Sequence, residues 1–230
     1  MAGRGRFLIL GMATFATLMI GLISAAEAQL RLRTDNDWRG QFRTYLASRD
    51  YVDSLGVLIR DVENRIAPDC DPDLAGAKRQ GLWVRKRILF DGGGTYPNAG
   101  QWQDRIAINR CGKRILHNFL VTALPDKSPA FRVLLPGNSR ADARLQLDAR
   151  SAVLAIASAQ ATSSTCGPSG FKIVSADFDR FLGDTANAEL NDRIWREIWT
   201  TEACGRQILV EVKFVPKEKG YTFVVDLVRP

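Results

Sequence analysis

The sequence predicts an α+β fold of two tandem repeats, each a helix followed by mostly antiparallel strands, packed as one pseudo-symmetric domain with two disulfides. The first observation is a spacing that occurs twice, because Trp102 precedes Cys111 by nine residues and Trp195 precedes Cys204 by nine residues. The second is that glycine and a basic residue follow each of these cysteines. The third is the alternation of apolar and polar residues beyond each triplet, which is typical of half-buried strands.

The N-terminal residues are typical of a secretory signal peptide. Arg4 and Arg6 give a basic start, residues 7–23 are almost wholly apolar, and residues 26–28 form a small-x-small cleavage site. An uncleaved membrane anchor is the alternative, because this apolar stretch is close to the lower limit of a spanning length. The predicted organisation is a signal peptide at 1–28, an N-terminal helical segment at 29–48, repeat unit 1 at 49–137 and repeat unit 2 at 138–230.

The chain is basic, with a formal net charge of +7, and removal of the signal leaves +6 because two arginines and one glutamate are lost. In a periplasmic or secreted protein this excess suits an anionic partner, such as a membrane surface, a cell-wall polymer or an acidic envelope protein. A solvated basic surface without a dedicated partner is the open alternative. Nucleic-acid binding is not expected, since the chain is predicted to be exported and has no recognised motif. The patterns predict no membrane span after signal cleavage and no particular oligomeric state.

The chain has four cysteines, an even number that predicts two disulfides in an exported protein. Sequence alone permits three pairings. The repeat favours Cys70 with Cys111 and Cys166 with Cys204, because a duplicated unit that carries both halves of its own bridge needs no new pairing. A redox role is disfavoured, since no Cys-x-x-Cys motif is present.

The N-terminal segment and the start of repeat unit 1 are both expected to be helical. Apolar residues recur at helical spacing over Asp35 to Ser48, and a stronger apolar stripe follows, capped by Ser48 or Asp50 and ending before Pro68. A strand is predicted over Gly81 to Phe90. The glycine run that follows it is expected to form a turn and not a phosphate cradle, because the Lys-Ser/Thr ending of a nucleotide P-loop is missing.

An antiparallel meander completes the first unit. Its predicted strands are Asp104 to Asn109, Arg114 to Ala123 and Ala130 to Leu135, with a turn at Cys111-Gly112 between the first two. The second unit is predicted to follow the same order. Its elements are a helix introduced by Ser139 and Asp142 and running to about Gln160, a strand at Phe171 and Ile173, a short helix within Asp177 to Leu190, and strands over 192–201, 207–215 and 221–227.

The binding candidates are the acids and tryptophans of the repeated pattern. Asp104 and Glu197 recur two residues after a tryptophan, so they could act as paired carboxylates of the kind used in glycoside hydrolysis. Salt bridges to Lys113 and Arg206, which recur with them, are the favoured interpretation. Exposed tryptophans could instead line a sugar- or peptide-binding groove, although core packing is commoner. The tryptophans concerned are Trp102, Trp195 and Trp199.

No catalytic set, metal site or cofactor site is predicted. His117 is the only histidine, and its counterpart in the second unit is Val210, so we expect it to pack in the core. A general base that acts with Ser128 or Ser139 is disfavoured, because neither serine belongs to a nucleophile motif. The sequence also lacks paired histidines and calcium-loop spacing.

The repeated pattern resembles one found in uncharacterised families of exported proteobacterial proteins, and the resemblance rests on Trp102 through Phe119 and Trp195 through Phe214. It implies export and no known activity. The leading hypothesis is therefore a non-enzymatic binding or interaction module of the bacterial cell envelope. The alternatives are an envelope hydrolase that uses Asp104 and Glu197, and a structural or stress-protective envelope protein.

Overall fold

The computed structural model describes residues 38–161, 167, 170–183 and 193–228, and these contain three helices and eight strands. In chain order the elements are α1 (residues 38–46), α2 (Arg49–Ile66), β1 (Pro72–Phe90), β2 (Pro97–Arg110), β3 (Lys113–Ala123), β4 (Pro129–Val133), α3 (Ala143–Gln160), β5 (Phe171–Leu182), β6 (Ile194–Ala203), β7 (Arg206–Lys217) and β8 (Gly220–Leu227). None of the helices is long and apolar enough to cross a membrane within this part of the chain. The predicted signal peptide lies outside the described residues.

The strands form two four-stranded sheets, β1-β2-β3-β4 and β5-β6-β7-β8, and every neighbouring pair is antiparallel. An 18-residue helix precedes each sheet in the chain, α2 before the first and α3 before the second. The predicted α+β class is therefore confirmed. Ser48 caps α2, as expected, by accepting a hydrogen bond from the Tyr51 amide. For α3 the cap is Asp142 and not Ser139, because the Ser139 side chain is directed to a buried carboxylate.

The central hairpin of each sheet turns at a Cys-Gly pair in which both residues have positive φ. The φ values are 45° and 79° at Cys111 and Gly112, and 50° and 77° at Cys204 and Gly205. Two consecutive positive φ angles define the tight hairpin turn whose twist matches that of the flanking strands. Since a non-glycine residue rarely takes this conformation, each cysteine is held in it by its surroundings.

Each sheet has its own apolar core. In the first, α1 and α2 pack across the sheet around Phe42, Tyr45, Leu55 and Ile59. In the second, α3 packs across the sheet through its small buried face of alanines and Val153. Among the strand residues of both cores, the aromatic side chains are the largest. They are Trp102 and Phe119 in the first sheet and Trp195, Trp199 and Phe214 in the second.

The segment between β4 and α3 ties the two sheets together. The side-chain Nδ2 of Asn118 on β3 donates to the carbonyl oxygens of Leu135 and Gly137, at 2.9 and 2.8 Å. The Ala176 amide on β5 in turn donates to Pro136 at 2.7 Å. Gly137 has φ +108°, and a Cβ there would lie 2.4 Å from the Ala176 carbonyl oxygen. This close approach of two backbones therefore requires glycine.

Some predicted element limits differ from the structure, and β2 begins at Pro97 and not at Asp104. β1 begins at Pro72 and not at Gly81, and its pairing with β2 is interrupted by several register shifts. A short helix is predicted within Asp177 to Leu190, but the residues of this range up to Leu182 belong to β5 and pair with β6, so a helix stays a prediction only for the rest of the range. Residues 184–192 lie outside the described residues. The pairing of β5 with β6 has a bulge between Phe178 and Arg180.

One disulfide is described, between Cys70 and Cys111, with the two Cα atoms 5.8 Å apart. The predicted pairing is therefore confirmed for the first unit, where the bridge joins the start of β1 to the turn between β2 and β3. Cys204 is also disulfide-bonded. Its predicted partner, Cys166, lies outside the described residues, so the second pairing stays a prediction.

A buried charge cluster joins α2 to the first hairpin. Glu63 of α2 is fully buried, and its carboxylate forms a two-pronged ion pair with Arg110 at the end of β2. His117 Nε2 lies 2.8 Å from Glu63 Oε1, and the imidazole is also buried. Burial alone would raise the pKa of Glu63, but the contacts from His117 and Arg110 outweigh it and hold the pKa at about 2. The prediction that His117 is a core residue is confirmed.

This cluster predicts a specific dependence of stability on acid. The Glu63 pKa falls from 4.5 to about 2 on folding, so its contribution is complete above pH 4.5 and is lost as the pH falls towards 2. A shift of this size corresponds to about 3 kcal/mol. We expect Glu63→Gln to lower the free energy of unfolding at pH 7 and to reduce its loss between pH 5 and pH 2, as measured by urea unfolding followed by tryptophan fluorescence.

Asp61→Asn is the matched control, because Asp61 lies on the same helix and forms only an exposed ion pair with Arg65. Such pairs contribute about 0.5 kcal/mol or less. If Glu63→Gln lost as much free energy of unfolding between pH 5 and pH 2 as the wild type does, Glu63 would not be the source of the acid dependence.

Candidate functional site: an arginine-aromatic cleft between the sheets

A cleft of about 650 Å³ opens between the two sheets. Its walls come from both halves of the chain and from the segment that connects them. The lining residues are Trp83 and Arg85 of β1, Gln103 and Arg105 of β2, Asn138, Ser139, Arg140 and Ala141 of the connecting segment, Phe178 and Phe181 of β5, Trp195 of β6 and Tyr221 of β8. Among the described residues, the lining therefore combines three arginines with five aromatic rings and contains no carboxylate.

The first wall is built by strand pairing and by one close contact. The register of β1 with β2 places Trp83 opposite Gln103 and Gly81 opposite Arg105. The indole of Trp83 lies over Gly81, where a Cβ would be only 2.3 Å from the ring. This allows the Arg105 guanidinium to lie over the same indole, 5.0 Å from its centroid. Glycine at position 81 is thus what admits the indole to this wall.

Arg105 is fixed at the base of this wall by polar contacts. Its Nε donates to Asn118 Oδ1 at 2.8 Å, and its Nη2 donates to the Ser139 carbonyl at 3.4 Å. Burial lowers the pKa of Arg105, yet an arginine keeps its charge at any ordinary pH. The half-buried guanidinium is therefore a permanent cation.

The other two arginines are exposed at the mouth of the cleft. Arg85 donates through Nη2 to Gln103 Oε1 at 2.8 Å. The Arg140 guanidinium lies over the rings of Phe178 and Phe181, at 5.3 and 4.9 Å from their centroids. Within the described residues, no ion pair joins Arg85, Arg105 or Arg140 to a carboxylate. The described part of the chain therefore supplies no ion pair that compensates for the positive charge of the cleft.

Glu197, one of the predicted site residues, is fully buried on β6 beneath this cleft and does not line it. Its Oε1 accepts hydrogen bonds from the amides of Arg140 and Ala141 and from Trp195 Nε1, at 2.8, 3.2 and 2.9 Å. Its Oε2 accepts from Ser139 Oγ at 2.8 Å and from Trp199 Nε1 at 2.9 Å. Five donors thus compensate for the loss of water around the carboxylate.

Asp104 occupies the corresponding place on β2 and is also fully buried. It accepts a hydrogen bond from Tyr51 Oη at 3.0 Å and pairs with Arg79 Nε at 2.9 Å. The Tyr51 hydroxyl in turn accepts from Trp102 Nε1 at 2.9 Å. Burial, and then the Asp104 charge, raise the pKa of Tyr51 well above its usual value, so the hydroxyl keeps the proton that it donates.

Lys113 and Arg206 are not the partners of these acids. The hairpin registers place both bases beside the turns, opposite Arg110 and Ala203, whereas Asp104 lies opposite Phe119 and Glu197 opposite Val212. The partner of Asp104 is Arg79 of β1. Within the described residues, Glu197 has neutral donors and no ion pair.

Of the five predicted binding residues, only Trp195 reaches the cleft. Trp102 and Trp199 are fully buried in the two cores, and Asp104 and Glu197 are held by the separate networks described above. Sequence reasoning missed Trp83, Arg105, Arg140, Phe178 and Phe181. Arg85 was included in the basic excess, but nothing in the pattern separated it from its neighbours. In the part of the chain that the structure describes, no group of three or more His, Cys, Asp or Glu side chains is arranged to hold a metal ion.

Because five donors surround the Glu197 carboxylate, we expect even the nearly isosteric change to glutamine to destabilise the protein strongly. In Glu197→Gln, an NH2 group replaces one oxygen and faces N–H or O–H donors in place of an acceptor. We expect a loss of about 3 kcal/mol in the free energy of unfolding. Urea unfolding of purified protein measures this loss. The control is Glu202→Gln on the same strand, where the partly exposed carboxylate pairs only with Lys172 and little change is expected. Equal stability of Glu197→Gln and the wild type would contradict a role as an anchor.

Comparisons of this chain with protein-family models, with curated proteins and with solved structures found no match. The roles of the cleft residues therefore follow from their geometry and chemistry. That geometry is a pre-formed cationic cleft, in which aromatic rings hold two guanidinium groups and no carboxylate of the described lining balances their charge.

Proposed function

We propose that this chain is an exported, non-enzymatic binding module of the bacterial cell envelope that holds an anionic envelope component in the arginine-aromatic cleft. The single observation that carries the proposal is the set of Arg85, Arg105 and Arg140, which line one cleft and have no ion pair with a carboxylate of the described residues. Like charges placed near each other repel, and an anion that enters between them removes this repulsion.

The aromatic rings support the same ligand class. A guanidinium group stacked on a ring has its face covered, while its N–H edges remain directed sideways. Such edges form two parallel hydrogen bonds to a carboxylate, phosphate or sulfate group. Arg140 over Phe178 and Phe181 is held in this way. Arg105 also lies over a ring, that of Trp83, but it directs Nε and Nη2 to Asn118 and Ser139 and contributes mainly its positive charge. The cleft is thus arranged for anionic groups carried on a larger, partly apolar body.

The test compares a polyanion with its neutral backbone. We expect dextran sulfate to bind the purified protein and unmodified dextran not to bind, as measured by isothermal titration calorimetry at physiological salt. The double variant Arg85→Glu/Arg140→Glu should weaken dextran sulfate binding about tenfold or more, because two charge-assisted contacts become repulsive. Both side chains are exposed, so folding should be retained.

The matched control is Arg49→Glu/Arg144→Glu, which changes the net charge equally at two exposed arginines outside the cleft. We expect it to keep most of the affinity. An equal loss in both double variants would instead assign the binding to the basic surface as a whole and would contradict the cleft.

The architecture belongs to the same proposal. We interpret the two halves, 49–137 and 138–230, as tandem repeats packed in one pseudo-symmetric domain. The support is the shared element order, the Cys-Gly turns with the same backbone conformation and the buried acid on the second strand of each sheet. Export into the periplasm or beyond follows from the signal-like start of the sequence, and the disulfide of the first unit suits such a compartment.

The repeat also predicts a second disulfide between Cys166 and Cys204. Proteolysis under non-reducing conditions, followed by mass spectrometry, should yield a linked peptide pair that contains these two cysteines and separates on reduction. Cys204 linked to a second molecule, or to any other cysteine of the chain, would contradict the repeat as the basis of the pairing.

A further inference from the structure

A second cavity, of about 760 Å³, lies where α2, β4, α3 and β5 meet. It shares no lining residue with the arginine-aromatic cleft. We call it the apolar groove. Its lining residues are Val62, Arg65 and Ile66 of α2, Arg132 to Pro136 of β4 and the segment after it, Ala143, Gln146, Leu147 and Arg150 of α3, and Lys172 and Ile173 of β5.

Most of this lining is aliphatic. Leu147 of α3 is 60% exposed, an unusual position for a leucine on a helix whose other face is buried. Val133 and Leu135 of the opposite wall are partly buried against the two cores, and Gln146 is held by hydrogen bonds to Ala141 and Leu135. The groove is therefore a fixed apolar trough that is open to solvent.

Two arginines of the groove have no carboxylate partner in the part of the chain that the structure describes. The side chains that lie one helical turn from Arg150 are apolar or amide, and the one acid of α3, Asp148, lies 3.8 Å from Arg144. Arg132 of β4 lies opposite Leu120. Neither Arg132 nor Arg150 has an ion pair within the described residues. The other two cations of the groove are paired, Arg65 with Asp61 and Lys172 with Glu202.

We propose that the apolar groove binds a single-chain anionic amphiphile of the fatty-acid class. The alkyl chain lies along the aliphatic lining and is shielded from water, and the carboxylate is held by Arg132 and Arg150. Charge complementarity selects this ligand, because no carboxylate of the described residues lines the groove and an anionic head group would pair with the two arginines. A neutral chain would leave both cations unpaired, and a small anion would leave the apolar surface in water.

The experiment uses three probes that separate head group from chain. Laurate carries both, dodecanol carries the chain alone, and acetate carries the carboxylate alone. We expect laurate, below its micelle concentration, to displace a fluorescent dansyl-undecanoate from the purified protein saturably, and dodecanol and acetate to be at least about tenfold weaker, since each lacks one of the two contributions. Arg132→Glu/Arg150→Glu should reduce laurate affinity by about tenfold or more.

Two further variants complete the design. Arg144→Glu, on the same helix but outside the groove, should leave laurate affinity unchanged, and Leu147→Asp should reduce it because a charge then lies on the apolar lining. The proposals for the groove and for the arginine-aromatic cleft can be tested separately, since Arg85→Glu/Arg140→Glu should not alter laurate binding.

Three results would overturn the proposal. The first is laurate affinity that is equal in the wild type and in Arg132→Glu/Arg150→Glu. The second is dodecanol or acetate binding as tight as that of laurate. The third is a concentration-dependent dimer in analytical ultracentrifugation that Leu147→Asp disperses, because the groove would then be covered by a second copy of the chain.

Discussion

A buried carboxylate on the second strand of each sheet holds the beginning of the helix that packs on that sheet. Asp104 accepts a hydrogen bond from Tyr51, in the first turn of α2, and Glu197 accepts from the amides of Arg140 and Ala141, just before α3. A charge removed from water is costly unless donors surround it, so each carboxylate permits one position of its helix. The placement of helix on sheet, and with it each core, depends on these contacts.

The two sheets satisfy this constraint with different donors. In the first, Trp102 reaches Asp104 through the Tyr51 hydroxyl, and Arg79 supplies a positive charge. In the second, Trp195 donates directly to Glu197, and the remaining donors are neutral. Glu197, which has no cation partner among the described residues, therefore holds its helix as Asp104 does with the help of Arg79. The position of the acid is shared, whereas its chemistry is adapted to the segment that it holds.

Local patterns explain what the sequence could predict. The strands and Cys-Gly turns follow from period-two alternation and backbone chemistry within a few residues, and the structure confirms them. The partners of Asp104 could not be predicted in this way, because Tyr51 is 53 residues away in the chain and Arg79 is 25 residues away. The continuation of β5 to Leu182, inside the range Asp177 to Leu190 where a short helix is predicted, has the same cause, since pairing with β6 decides the conformation there. The cleft was missed because its residues come from both sheets.

The connecting segment joins the buried network to the cleft. The Ser139 hydroxyl donates to Glu197, while the Ser139 carbonyl accepts from Arg105 of the other sheet. The Arg140 amide is held by the same carboxylate, and its guanidinium lies over the aromatic rings of β5. Two of the three cleft arginines are thus positioned, directly or through one residue, by a carboxylate that never reaches the cleft. Glu197 therefore belongs to the candidate site as a positioning residue, because the interaction that fixes the fold of the second sheet also fixes where positive charge is presented.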